Sequence, residues 1–355
     1  MIAVSLRACL VAVLCLLAAA VPASAAVPRD WLGVMVDGPM TAPGADVGDE
    51  WSRLGDSGAG HVRAELYWPH AQPDGPEAVD LSASDAVVLA AAREGLGVLP
   101  VVRGTPGWAG TVGSGDASPP RLAALAGYLK ALVRRYGPAG SLWTEHPEVA
   151  RRPVRTWQVW NEPNLRAYWA RQPFARSFVR MLRAARAALR DVDGGARVVL
   201  AGLPNRSWTA LRSVYRAGGR RAFDAVALHP YTGKPGHVVK LVRLARREMA
   251  RYGDRRKAVW ITELSWPATQ GTHRRTGFET SNAGQAKRLR RALRLLAAER
   301  RRLRIRRVYW YTWLSAEEGP SAFGWSGLRR IRDGKRVSAP SLRAFVRTGR
   351  ALRRG

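Results

Sequence analysis

Thr156-Trp157-Gln158-Val159-Trp160-Asn161-Glu162-Pro163-Asn164 is a short, mostly apolar run that ends abruptly in polar residues and a proline. A run of this length suits a buried strand. Proline at 163 makes it hard for the strand to continue, so the carboxylate of Glu162 is expected at the strand's C-terminal end. Downstream, Arg176, Arg180, Arg183, Arg186 and Arg190 recur at spacings of three and four, while Phe178, Leu182, Ala185 and Leu189 fall between them. That pattern predicts an amphipathic helix over 174–191 with a solvated basic face.

The same strand-then-helix unit recurs along the chain. Apolar runs bounded by glycine or proline predict strands at Trp31–Val36, His61–Glu65, Gly97–Val102, Thr156–Trp160, Arg197–Ala201, Ala225–His229, Ala258–Thr262 and Arg307–Thr312. Helical patterns separate them at 48–54, 82–94, 119–136, 174–191, 209–217, 238–252 and 283–302, and an eighth follows at 340–352. Alternation of this kind implies parallel strands joined by right-handed crossovers. Eight such units predict an α/β chain folded as one (β/α)8 TIM barrel. A doubly wound open sheet is the alternative, but no glycine-rich phosphate-binding turn follows a strand.

Composition narrows the function. The chain has 355 residues, 46% hydrophobic and 24% charged, as expected of a globular protein. Its formal charge is +31, and only six of the 58 basic residues are lysine, which leaves 52 arginines. Those from Arg176 to Arg190 lie at helical spacing on a predicted solvent face, and the one dense cluster, between Arg300 and Arg307, has no interleaved aromatic residues to stack on bases. A nucleic-acid partner is therefore not expected. Residues 1–25 read as a secretory signal: Arg7 precedes an apolar stretch from Ala8 to Ala20, and Ala23-Ser24-Ala25 supplies a small-residue cleavage pattern. The expected mature domain, 26–355, loses Cys9 and Cys15 with that segment and carries +30. No later run is long enough to span a membrane. A secreted, soluble monomer is expected.

In a barrel of this type, chemistry sits at the C-terminal ends of the strands. Those ends hold Arg63 and Glu65 near the end of the second strand, Asn161 and Glu162 after the fourth, His229 and Tyr231 at and after the end of the sixth, Glu263 after the seventh and Trp313 near the end of the eighth. The fourth and seventh strands face each other across the mouth, so Glu162 and Glu263 form a candidate carboxylate pair. About 5 to 5.5 Å between such carboxyl groups suits a retaining glycosidase, and about 6.5 to 9.5 Å an inverting one. No HExxH or paired histidine spacing supports a metal, and no GxSxG elbow supports a serine nucleophile. Neither cofactor nor metal is expected.

Trp160-Asn161-Glu162-Pro163-Asn164 together with Thr262-Glu263 resembles the clan A glycoside hydrolases, retaining (β/α)8 enzymes that act on β-linked sugars. Leu66-Tyr67-Trp68 with Gln72-Pro73, Thr105-Pro106-Gly107-Trp108-Ala109, Tyr311-Thr312-Trp313, Phe323-Gly324 and Ala339-Pro340-Ser341 look most like family 39 and its relatives, with family 5 close behind. The chain departs from family 5 at the end of the third strand, where Arg103-Gly104-Thr105 stands in place of a histidine or asparagine. The resemblance implies Glu162 as general acid/base and Glu263 as nucleophile. It also implies Asn161 on the sugar 2-hydroxyl, Arg63 and Tyr231 orienting the nucleophile, and His229 in the polar floor. Because indole faces pack on sugar rings, Trp313, Trp108 and Trp266 are expected as carbohydrate platforms. The expected activity is hydrolysis of β-linked oligo- or polysaccharide by double displacement. The alternatives are a non-catalytic carbohydrate-binding barrel and a basic protein whose charge holds it to a surface.

Overall fold

A computed structural model describes residues 26–42, 44–269, 271 and 277–355. The predicted signal segment, with Arg7, both cysteines and the Ala23-Ser24-Ala25 cleavage pattern, lies outside the described residues.

Nine parallel strands make the central sheet: β1 (Leu32–Val36), β2 (His61–Tyr67), β3 (Gly97–Arg103), β4 (Thr156–Val159), β5 (Arg197–Val199), β6 (Leu203–Pro204), β7 (Ala225–His229), β8 (Ala258–Ile261) and β9 (Ile305–Trp310). β1 pairs with both β2 and β9, and both β5 and β6 pair with β7, so the sheet closes on itself. β5 and β6 share one barrel position, interrupted at 200–202, and the closed sheet is the eight-position barrel that the alternation predicts. The strand expected at 307–312 begins and ends two residues earlier, because Ile305 is already in register with Val259.

The strands read as continuous apolar runs because both of their faces are covered. Leu99, Val199, Ala225, Ala227, Trp260 and Tyr309 fill the barrel interior. Gly33 is the one place on β1 where two neighbours come too close for a side chain: a Cβ there would meet the His61 carbonyl at 2.6 Å and the Tyr309 ring at 2.7 Å. Outside run helices α1 (Glu50–Asp56), α2 (Trp68–Ala71), α3 (Ser82–Arg93), α4 (Leu122–Tyr136), α5 (Leu142–Glu145), α6 (Ala175–Val192), α7 (Ser207–Arg216), α8 (Pro235–Arg251), α9 (Asn282–Glu299) and α10 (Pro340–Arg354). On α6, Phe178, Leu182, Ala185 and Leu189 are buried while Arg176, Arg180, Arg183 and Arg190 are exposed, as the spacing predicts.

One element was not visible in the sequence pattern. Beyond β9, the strands β10 (Leu314–Ala316), β11 (Arg329–Arg332) and β12 (Lys335–Ser338) form a separate three-stranded sheet beside the barrel mouth. It is anchored by charge. Glu50 on α1 is fully buried and accepts hydrogen bonds from Arg329 Nη2 at 2.7 Å and Nε at 3.0 Å and from the Trp313 indole at 2.9 Å. Removing one partner of a buried ion pair leaves the other charge without compensation, which costs about 3–5 kcal/mol. Glu50→Ala should therefore lower unfolding free energy by about that amount in a denaturant titration. A change under about 1 kcal/mol would mean that Arg329 finds water or another acceptor.

Candidate active site

The C-terminal ends of the barrel strands surround a cavity of about 240 Å³. Arg63 is its structural hub. Alternate residues of a strand share a face, so Arg63 on β2 points into the barrel mouth. Its guanidinium is almost wholly buried and donates to Gln158 Oε1 at 2.6 Å, Glu263 Oε1 at 2.8 Å and Asn161 Oδ1 at 2.9 Å. A planar fork with fixed donors suits three acceptors on different elements, where a point-charge ammonium would not. Gln158 in turn donates to the Leu200 carbonyl at 3.0 Å, so its amide orientation is fixed from both ends.

Glu263 is held from three sides. Arg63 occupies one carboxylate oxygen, the Tyr231 hydroxyl donates to the other at 2.7 Å, and His229 Nδ1 lies 3.5 Å from that second oxygen. Burial pushes this carboxyl up, but the charges of His229 and Arg63 and the Tyr231 and Arg63 hydrogen bonds outweigh it and hold Glu263 below the ordinary carboxylate range. Glu263 is ionised at neutral pH.

Glu162 is reached differently. Its Oε1 is hydrogen-bonded to His229 Nδ1 at 2.6 Å, and its backbone N–H donates to the Gly202 carbonyl at 3.1 Å. Trp160 and Glu162 both have left-handed backbone, with φ of 75° and 43°. Non-glycine residues held there cost about 1–3 kcal/mol each and persist where the surroundings over-determine them. Here Val102 accepts the Trp160 N–H and Tyr168 accepts its indole N–H, so the twisted turn is fastened at both backbone and side chain.

Glu162, His229 and Glu263 offer carboxylate and imidazole atoms that all lie within 4.8 Å of one another. Such a trio could in principle ligate a cation. However, Glu263 already accepts from a guanidinium and a phenol, and a divalent ion would sit against the Arg63 charge, so the donor set suits hydrogen bonding to an organic substrate better than metal binding.

Six of the predicted site residues, Arg63, Asn161, Glu162, His229, Tyr231 and Glu263, are brought together here. The three tryptophans are not. Trp313 is fully buried and its indole donates to Glu50; Trp266 is fully buried and donates to the Thr232 carbonyl at 2.6 Å; Trp108 packs edge-on to Trp68 and donates to the Gln72 carbonyl at 2.9 Å. None of them lines the cavity, so the expectation of tryptophan sugar platforms is corrected: large amphipathic rings are used here to fill loop gaps with their N–H satisfied.

The aromatic wall is built from other residues. Tyr231 stacks on Phe278 at 5.5 Å, Phe323 meets Tyr231 edge-on at 5.2 Å, and Tyr311 meets Phe323 at 5.5 Å. Tyr168 also lines the mouth. Two further acids stand here: Glu65, which the sequence places at the rim without a role, and Asp37, which sequence reasoning missed. Asp37 accepts from the Thr312 hydroxyl at 2.7 Å, and burial raises its carboxyl despite the hydrogen bonds from Thr312 and Tyr311. Glu65, paired with Arg103, is pushed up to about 7, chiefly by burial. Asp37 directly follows β1, as polar residues follow the other strands, and that position was the available signal.

No protein-family model matches the sequence, and no curated protein matches it either. Solved structures do. A family 39 glycoside hydrolase from Bacteroides cellulosilyticus WH2 superposes with a TM-score of 0.66 at 19% identity, over 92% of this chain and 64% of that one. The shared feature is the (β/α)8 barrel fold. A monomeric β-xylosidase from Caulobacter crescentus CB15 gives 0.64 at 20% identity, over 91% of this chain and 68% of that one. A family 5 enzyme from Streptomyces cattleya, solved with Manβ1-4GlcNAc, gives 0.66 at 17% identity, over 91% and 81%. Families 39 and 5 are the two that the sequence motifs resemble. The chain spans about two thirds of the length of the first two of these structures.

His229 presses its ring onto Gly202: a Cβ at residue 202 would lie 1.9 Å from Nε2, and the imidazole is fully buried with no room to retreat. Gly202→Ala should therefore destabilise the protein by about 1–3 kcal/mol through overpacking. It should also displace the ring NMR signals of His229, whose Nδ1 is hydrogen-bonded to Glu162. An unshifted signal with unchanged stability would show that the ring can move aside.

Proposed function

We propose that the protein is a retaining O-glycosyl hydrolase that cleaves β-linked oligo- or polysaccharide by double displacement. The observation that carries this reading is the meeting of carboxylate oxygens of Glu162 and Glu263 within 4.8 Å, on strands distant in sequence. A contact of nearest oxygens that short favours the ~5 to 5.5 Å carboxyl spacing of retaining pairs over the ~6.5 to 9.5 Å of inverting ones. The shared fold with glycoside hydrolases supports the same reading.

Each residue then has a role. Glu263, kept ionised by Arg63, Tyr231 and His229, attacks the anomeric carbon and forms the glycosyl-enzyme bond. Glu162 gives its proton to the departing oxygen. It then takes a proton from the water that attacks the same carbon and releases Glu263, so the configuration at that carbon is restored after two inversions. Asn161 commits its carbonyl oxygen to Arg63, so what it offers the substrate is its amide N–H, suited to a sugar hydroxyl. His229 holds Glu162 in place. No cofactor takes part in this scheme, and the chain acts as an exported monomer from which the first 25 residues are removed.

Glu263→Ala should abolish hydrolysis of aryl β-glycosides while the unfolding transition stays cooperative. Azide should then restore product release as the α-glycosyl azide; a β-configured azide or undiminished hydrolysis would remove Glu263 as nucleophile. Glu162→Gln should reduce kcat/KM by about 10²–10⁴ for substrates with poor leaving groups and much less for activated aryl leaving groups. Equal losses across leaving groups would mean that Glu162 is not the acid.

A further inference from the structure

The barrel has a second mouth, at the N-terminal ends of its strands, and a cavity of about 300 Å³ opens there. Glycine makes the room. His61 begins β2 in register with Gly33 on one side and Gly97 on the other, and alternation gives it the same inward face as Arg63. Its ring lies over Gly97, where a Cβ would come within 2.6 Å of Nε2. Leu99 and Trp260, which belong to the barrel interior, line the depth of the cavity. The rim is basic: Arg151, Arg152 and Arg155 come from the segment leading into β4 and Arg307 from β9, and no acidic residue among the described residues lines it. These charges are poorly compensated. Arg307 Nη2 pairs with Asp30 at 3.1 Å while its guanidinium lies over the Trp260 ring at 4.8 Å, so one arginine is held in place. Arg155 comes no nearer than 3.8 Å to Asp193, and Arg151 donates to the Pro138 carbonyl, which is neutral. Arg152 pairs with no carboxylate among the described residues.

We propose that this second mouth binds a tetrahedral oxyanion, a phosphate or sulfate group, either as the free ion or carried on a small sugar. Guanidinium forks offer paired N–H donors that match the oxygens of such a group, and here four of them border one hollow. Two lining atoms point to the same occupant. His61 Nδ1 and Arg307 Nε are buried with no hydrogen-bond partner among the described residues, whereas buried polar atoms are nearly always paired. An anion with acceptor oxygens on every side can take the Arg307 N–H and an imidazole N–H together. Burial pushes His61 down to about 3, and the charges of Arg307 and Arg152 push the same way. His61 is therefore neutral at pH 7 and carries one N–H to give, in a place where positive potential repels a proton and attracts an anion. The apolar depth formed by Leu99 and Trp260 keeps water from one side, which strengthens charge-assisted hydrogen bonds at the rim. A bare oxyanion fills only part of the volume, so a group attached to it has room. Because this mouth and the Glu162–Glu263 pair stand at opposite ends of the same strands, the site is independent of the hydrolase reading.

The test is calorimetric titration at pH 7, in chloride buffer, with inorganic phosphate, inorganic sulfate and glucose 6-phosphate. Wild type should bind one phosphate per chain with a Kd at or below about 1 mM, and sulfate should compete for it. Arg152→Gln and Arg155→Gln each remove a charge from an exposed position on the rim, and each should weaken phosphate binding about ten-fold with the unfolding transition unchanged. Arg176→Gln and Arg180→Gln on the solvent face of α6 remove the same charge elsewhere and should leave the affinity as it is. In protein carrying carbon-13-labelled histidine, phosphate should shift the His61 ring signals of wild type and leave those of Arg152→Gln in place. Absent binding, His61 signals that do not move, or losses as large in the α6 variants as in the rim variants would overturn the proposal, the last because the net charge alone would then account for the attraction. The sugar phosphate separates the two sources. Glucose 6-phosphate binding tighter than inorganic phosphate, and weakened by Arg152→Gln, supports a group carried on a sugar; equal or weaker binding supports the free ion.

Discussion

Everything at the barrel mouth is arranged around one buried cation. The Arg63 guanidinium bridges β2 to Gln158 and Asn161 at the end of β4 and to Glu263 just beyond β8, and so ties three separated strands at one level of the barrel. A buried guanidinium is costly unless each face of its fork finds an acceptor. Here a carboxylate and two amide oxygens provide them. The same interaction that makes the arginine tolerable keeps Glu263 charged and turns Asn161 so that its amide N–H can meet a ligand. Structural and chemical demands coincide in one side chain.

The fold was legible because parallel strands buried on both faces leave an unmistakable trace: short apolar runs separated by amphipathic helices. The six residues that gather at the mouth were legible for a related reason. Polar residues immediately after such runs have nowhere to go but the rim. The tryptophans show where this reasoning stops. Trp313 follows β9 as Glu263 follows β8, yet it turns outward to donate to Glu50, and that partner is 263 residues away in the chain. Likewise the three-stranded sheet formed by β10, β11 and β12 reads as loop, because its strands of three and four residues carry arginines whose buried partners, Glu50 and Glu317, lie in other elements. Phe278 and Phe323 become part of the cavity wall only when two long connections fold over Tyr231.

The charge distribution separates the site from the rest of the molecule. The formal charge of the chain is +31, but the catalytic cavity gathers Asp37, Glu65, Glu162 and Glu263 against only Arg63 and Arg103. Both of those arginines are already committed to carboxylates. Burial raises both Asp37 and Glu65, so the mouth holds carboxyl groups of differing protonation inside a strongly basic body.

The left-handed turn at Trp160 and Glu162 bears on how such a site can be inherited. Its conformational cost is offset by partners on other strands, the Val102 and Gly202 carbonyls, which exist only once the barrel has closed. The placement of Glu162 is thus a property of the completed barrel and not of its own segment. A short stretch spliced into a different scaffold would carry the letters of the motif without its shape, and recombination that preserves this site has to move neighbouring strands together.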